Sequence, residues 1–231
     1  MRALSIDTST HRAQIALWTG TCAALEEHDD PSRHAEALLG MVDRAFATAG
    51  WRKTDLDLIV TCVGPGSFTG LRAGVAAAKG IALALDRPIV GVSGLDAMAS
   101  AFLRHADERA ARVDAVLALL DARKGEVFWA AYDREGEGLA GPGHVAMSAL
   151  GDVLGTLPPK KIVVGEVAAH VAGNLGLPDT MLHRSRDTDL PDARELARLG
   201  VRAFERRGAD DLDALEPIYV RPPDITLPKP K

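Results

Sequence analysis

Gly64-Pro65-Gly66-Ser67-Phe68-Thr69-Gly70 separates an apolar run at 56–63 from an alanine- and glycine-rich run at 71–85. The first run has the length and composition of a buried strand, and the second those of a helix. A glycine-rich turn between them permits positive φ, and its amides, together with the helix dipole, could face an anion. The Gly-Lys-Ser/Thr of a P-loop is missing, and Thr69 stands where the third glycine of GxGxxG would fall. Two readings of Gly64, Gly66 and Ser67 stay open: a tight turn that lets the next helix pack closely, or a present or ancestral phosphate-facing loop.

Upstream, residues 3–7, 13–18 and 22–27 read as three short strands, the first two joined by Thr8-Ser9-Thr10-His11-Arg12, which predicts an antiparallel meander. Asp30-Pro31-Ser32 supplies a capping residue and a first-turn proline. Ala35, Leu38, Leu39, Val42, Phe46 and Ala49 then recur at helical spacing until Gly50. Downstream of the loop helix come a strand at 88–92 and a helix at about 94–104, so the order is βββαβαβα. The polar stretch at 105–112 is the expected boundary, dividing an N-terminal lobe at 1–107 from a C-terminal lobe at 108–231. The second lobe opens on strands at 113–120 and 126–132, with a third near 144–147 and a helix at 148–154. A strand at 161–164 and helices at 166–175 and 192–207 follow, so the halves read as weak structural repeats. Five prolines after residue 216 predict an extended tail.

Within 231 residues, 47% are hydrophobic and 26% charged, which excludes disordered and collagen-like chains. A formal charge of -5 and an aromatic content of 4% argue against RNA or DNA binding by the chain alone. Cys22 and Cys62 form no CxxC, and both are expected as buried reduced thiols. Neither HExxH nor HxxxH occurs, so no metal site is expected. Residues 1–7 read as a strand rather than a leader, and 71–85 is too short and too charged for a membrane span, which together predict a cytoplasmic protein.

Asp7, Thr8 and Ser9 end the first strand in a turn that suits either a metal-bound phosphate or backbone-bonded Asx and ST turns. Asp121, before Arg123 and Lys124, is the matching position of the second half. Ser67 and Ser93 lack a GxSxG elbow, which leaves serine hydrolase chemistry without a motif. The small residues of 71–85 suit either close packing on the chain's own sheet or close approach of another helix, and the helix at 32–49 has the same dual character.

Five stretches taken together are more specific than any one loop: Ile6-Asp7-Thr8-Ser9-Thr10, Arg33-His34-Ala35-Glu36-Ala37-Leu38-Leu39, Gly64 through Gly74, Asp121-Ala122-Arg123-Lys124-Gly125-Glu126-Val127, and Glu216-Pro217-Ile218-Tyr219-Val220-Arg221. Over essentially its full length the chain resembles the TsaB (YeaZ) family. The resemblance implies an α/β, two-lobed fold of the actin, Hsp70 and sugar-kinase type, each lobe a mixed sheet flanked by helices. It also implies a role in making N6-threonylcarbamoyladenosine at position 37 of tRNAs that read codons starting with A. In such systems a synthase makes threonylcarbamoyl-adenylate, and the paralogue TsaD transfers the group, aided by TsaB and the ATPase TsaE. TsaD carries a V-N-H-x-E-x-H pattern, whereas this chain has Val92-Ser93-Gly94-Leu95-Asp96-Ala97-Met98, with Gly94 and Met98 at the metal-ligand positions.

The resemblance therefore implies a scaffold that binds TsaD, without a cofactor of its own, and that meets tRNA only through the complex. A homodimer is expected when it is alone. The expected interface comprises His34, Leu38, Met41, Ala45, Leu71, Gly74 and Ala78. Nucleotide contact, if retained, falls to Asp7, Thr8, Ser9, Gly64, Gly66 and Ser67. The competing classes are a stand-alone ATPase or kinase using Asp7 and the glycine loop, a metallopeptidase-like protein of the same fold, and a general binding module.

Overall fold

Short apolar runs, the central ones buried on both faces, build two mixed sheets in the structure, a computed structural model that describes residues 1–30, 34–105 and 107–221. In the first sheet β1 (Ala3–Asp7), β2 (Ala13–Trp18) and β3 (Cys22–His28) form the antiparallel meander. β4 (Leu58–Gly64) and β5 (Ile89–Ser93) extend it in parallel, giving the order β3-β2-β1-β4-β5. The second sheet repeats the plan with β6 (Ala115–Arg123), β7 (Glu126–Tyr132), β8 (Gly138–Ala146) and parallel β9 (Lys161–Val164), in the order β8-β7-β6-β9. β8 is longer than its sequence suggests. Its Gly141, Pro142 and Gly143 are tolerated because it is an edge strand, where a missing donor is not lost from the sheet interior, and because Gly143 lies flat against the Trp129 indole.

Helices α1 (His34–Ala49) and α2 (Phe68–Leu85) cover one face of the first sheet, where Leu38, Met41, Val42, Ala45, Phe46, Ala78 and Ala82 meet Ile6, Ile15, Leu17 and Ile59. On the second sheet, α5 (Leu150–Thr156) and α6 (Ala168–Leu175) cover one face through Leu150, Leu154 and Val171. The middle layer is shared between the halves. α3 (Gly94–His105), which follows the first sheet in sequence, packs Leu95, Met98 and Phe102 on the second. α8 (Ala193–Arg207), which follows the second sheet, packs Leu196, Leu199 and Phe204 on the first. Short helices α4 (Asp107–Ala110) and α7 (Arg186–Asp189) join these layers. A cut at 107/108 separates the two sets of strands but not their helical covers.

α8 is fixed at its start by buried polar groups. Asp192 caps the helix by accepting from Arg194 N at 2.7 Å, Ser5 Oγ donates to Ala193 O at 2.6 Å, and Ala193 N donates to Gln14 Oε1 at 2.9 Å. The chain then returns along the first sheet, where Gly91 N donates to Asp210 Oδ2 and Ile218 N to Val63 O.

Cys62 is buried, but Cys22 is exposed, contrary to the expectation of two buried thiols, because it opens an edge strand directly after the Gly20 turn. The cap expected at Pro31 and Ser32, the side chain of His34 and the tail at 222–231 lie outside the described residues. α2 is long and apolar enough to cross a membrane by composition, yet Leu71, Gly74, Val75, Ala78 and Ala82 bury one side of it within the chain.

Candidate functional site

The glycine loop and the β1–β2 turn are built against each other. Ser67 N donates to Ser9 O at 2.7 Å, Thr8 Oγ1 donates to Gly70 O at 2.6 Å, and Ser67 Oγ caps α2 by accepting from Gly70 N at 3.3 Å. The approach is so close that a Cβ on Gly66 would stand 2.2 Å from Ser9 O, one on Gly70 2.0 Å from Thr8 O, and one on Gly74 2.3 Å from Thr8 Oγ1. This explains the glycine spacing without a ligand. The amides of Ser67 and Gly70 already have acceptors within the chain, so the loop is stitched to the 8–9 turn as the tight-turn reading requires. The cap also starts α2 at Phe68, three residues before the apolar pattern becomes regular.

Asp7 is fully buried. Its Oδ1 accepts from Ser9 N at 2.9 Å, and burial pushes its carboxyl above the ordinary range against the pull of Ser9, Cys62 and Arg12. Asp7 Oδ2 and Ser9 Oγ have no hydrogen-bond partner among the described residues. Burial, with Asp7 beside it, likewise pushes the Cys62 thiol well up.

Between the lobes lies a cleft of about 570 Å³, walled on one side by Ser9, Thr10, His11 and the Pro65–Leu71 segment and on the other by Asp121, Arg123, Phe128 and Glu166. Of the candidate nucleotide residues, Gly66, Ser67 and Ser9 reach this wall, whereas Asp7, Thr8 and Gly64 stand behind it. The cleft's charges pair among themselves. His11 Nδ1 faces Glu166 Oε2 across it at 3.7 Å, and Arg123 turns back to Asp121, whose Oδ1 also accepts Arg123 N at 2.8 Å. Burial raises the Glu166 carboxyl, opposed by His11 and reinforced by Asp121.

Residues 217–221 cross the mouth of the cleft. Tyr219 packs on Phe68 with centroids 5.2 Å apart, and Arg72 lies over the Phe68 ring and donates through Nε to Tyr219 Oη at 2.9 Å. Arg221 Nη1 reaches the second sheet at Ala122 O, 2.6 Å, and Glu126 Oε2, 3.1 Å. All five motif stretches therefore reach this cleft: the β1–β2 turn through Ser9 and Thr10, α1 through Ala35, the glycine loop, the Asp121 hairpin and the tail. Sequence reasoning did not single out His11, Glu166, Tyr219 or Arg221. Tyr219 and Arg221 carry a signal only through the tail stretch, and His11 and Glu166 belong to none of the five stretches; only the fold brings these residues together.

Positions 94 and 98 carry packing. A Cβ on Gly94 would stand 2.8 Å from Pro191 Cγ, and Met98 is fully buried, its methyl 3.1 Å from a Cβ built on Gly165. Among the described residues, no three His, Cys, Asp or Glu side chains converge as a metal site.

The expected interface residues need correction. Leu38, Met41, Ala45, Leu71, Gly74 and Ala78 are buried inside the chain, five of them beneath α1 or α2 and Gly74 against Thr8. Their helical stripe is the face turned to the chain's own sheet. The open faces instead present Leu39, 60% exposed, on α1 and Leu83, 72% exposed, on α2, with Ala76 and Gly80 also at the surface.

The family described as TsaD, tRNA N6-adenosine threonylcarbamoyltransferase, matches residues 30–200. The chain is 32% identical to the tRNA threonylcarbamoyladenosine biosynthesis protein TsaB of Escherichia coli K12 over 225 residues, covering 96% of this chain and 95% of that protein. It is 36% identical to the TsaB protein of Haemophilus influenzae over 134 residues, 57% of this chain and 54% of that one. The solved structure of YeaZ from Pseudomonas aeruginosa aligns with a TM-score of 0.76 at 26% identity, covering 94% of this chain and all of that one. The two-lobed arrangement is the actin, Hsp70 and sugar-kinase type of fold.

Proposed function

The chain belongs to the TsaB family of tRNA threonylcarbamoyladenosine biosynthesis proteins, and from that premise we propose that it is a non-catalytic, cytoplasmic subunit that binds and activates a TsaD-type transferase, together with a TsaE-type ATPase. The observation that carries this reading is the packing at 94 and 98. Where a TsaD-type transferase would place two imidazoles, a glycine lies against Pro191 and a methionine fills the core. The bonding of Ser67 N and Gly70 N to the chain's own oxygens is consistent with it, since amides already satisfied gain little from a phosphate.

A subunit without the transferring groups acts by its surfaces. Leu39 and Leu83 present apolar area beside alanine and glycine, a combination that permits close helix approach, and their burial against a second protein would contribute roughly 1.5–3 kcal/mol each. The same faces would pair two copies of the chain when TsaD is absent.

The test mixes the chain with its host's TsaD, with and without TsaE and ATP, and measures mass by size exclusion with light scattering. A defined heteromer is expected, and Leu83→Glu should weaken it while leaving the thermal transition of the chain unchanged. No association under any of these conditions, or ATP hydrolysis by the isolated chain that Asp7→Ala abolishes, would overturn the reading in favour of an independent enzyme.

A further inference from the structure

The chain as a whole carries more acid than base, yet α8 carries five arginines against Glu195 and Glu205. Arg194, Arg198, Arg202 and Arg206 recur every fourth residue, which places them along one side of the helix. Their surroundings differ along the row. Arg194 is neutralised by Asp192 at 2.6 Å and Asp187 at 2.7 Å. Arg198 and Arg104 of α3 converge on the single buried carboxylate of Glu195, at 2.8 and 3.0 Å, with His105 at 3.9 Å. Arg198 Nη1 is buried without a hydrogen-bond partner, and its guanidinium is further disfavoured by burial and by the neighbouring charges of Arg202 and Arg104. Arg202 and Arg206 are exposed, and neither has an ion-pair partner among the described residues. Charge therefore accumulates toward the C-terminal half of α8 faster than carboxylates offset it.

A row differs from a pocket. Converging guanidiniums would hold one small anion, whereas Arg198 to Arg206 spans about 12 Å of helix axis, which suits a partner whose negative charge is itself repeated. Guanidinium forks match phosphate oxygens two at a time. We propose that the exposed side of α8, Arg202 and Arg206 with Arg104 and Arg198 behind them, contacts the phosphate backbone of the tRNA on which the complex acts. The inference rests on the proposed place of the chain in that complex. It agrees with weak RNA binding by the chain alone, because a few phosphate contacts supply little affinity without the remaining surface of an assembly.

The experiment assembles the complex from the chain, its host's TsaD and TsaE, confirms its mass, and titrates a fluorescent unmodified tRNA transcript at several salt concentrations. Arg202→Gln/Arg206→Gln is compared with wild type and with Arg112→Gln, an exposed arginine that pairs with Glu108 elsewhere on the surface. Assembly should be unchanged and tRNA binding weaker, with the log–log salt slope shallower by about 1.5 for two lost contacts. Equal affinity and slope in an intact complex would overturn the RNA contact and leave the proposed function standing. Weakened assembly with unchanged tRNA affinity would reassign the row to a protein partner and also overturn it. If wild type forms no complex, the proposed function fails; the same titration of the chain alone at low salt then decides, with unchanged binding in the double variant refuting the contact.

Discussion

Gly70→Ala and Gly80→Ala are the same chemical change in one helix with opposite expected signs. In α2 an alanine at position 80 meets no atom within 4 Å, and replacing a helical glycine is worth about 0.5–1 kcal/mol. At position 70 the added Cβ would stand 2.0 Å from Thr8 O. Because that atom is backbone, relief requires the 7–9 turn or the first turn of α2 to move by about 1 Å. Such a movement strains the Ser67 N–Ser9 O and Thr8 Oγ1–Gly70 O hydrogen bonds, each worth about 1 kcal/mol, and adds an overpacking cost of about 1–3 kcal/mol. After the propensity gain the net loss is about 2–3 kcal/mol, a fall in Tm of roughly 4–12 °C for a chain of this size. Circular dichroism melts and urea unfolding of the two variants measure it. Gly70→Ala as stable as wild type would refute the close-approach account of the glycine loop and reopen it as a ligand site.

Asp7→Asn tests the buried carboxylate. Because burial raises the Asp7 pKa above its ordinary value of 3.8, its contribution is fully present below that value and is lost as pH rises through the folded pKa. The variant should therefore gain stability relative to wild type from pH 4 upward in urea unfolding, and a difference independent of pH would refute the assignment. Glu195→Ala strips the carboxylate from Arg104 and Arg198 and should cost about 3 kcal/mol or more in the same assay, whereas a loss below 1 kcal/mol would mean that the cluster is solvated rather than buried.

The long helices follow from periodicity because each buries one regular face, and the central strands from short continuous apolar runs buried on both faces: β1 to β5, α1 to α3 and α8 lie within a few residues of their sequence patterns. β8 escaped because an edge strand tolerates the glycine and proline that normally argue against one. The direction of α2 escaped for a different reason. A helix with alanine or glycine on most sides gives no contrast, so Gly74 and Ala78 could not be assigned to the sheet or to the surface until Thr8 and Ile59 were in place. The loop was legible as a motif, but its purpose was not, since the acceptor of Ser67 N and the hydroxyl that donates to Gly70 O come from a turn some 60 residues earlier. The cleft was the least legible part. His11 and Glu166 are ordinary surface residues in sequence and become neighbours only through the pairing of two lobes.

The exchange of helices between the halves sets an order of events during synthesis. Ala3, Leu58, Val60, Val90 and Val92 form the apolar face that α8 covers, and Ser5 is bonded to Ala193, 188 residues further on. At about 5–20 residues per second the ribosome delivers that cover on the order of 10–40 s after β1 has emerged. From the emergence of β5 until then, the first sheet has one finished side and one bare side. The nascent chain is then a client for holding chaperones, and a premature stop anywhere before α8 yields not half a protein but an adhesive one.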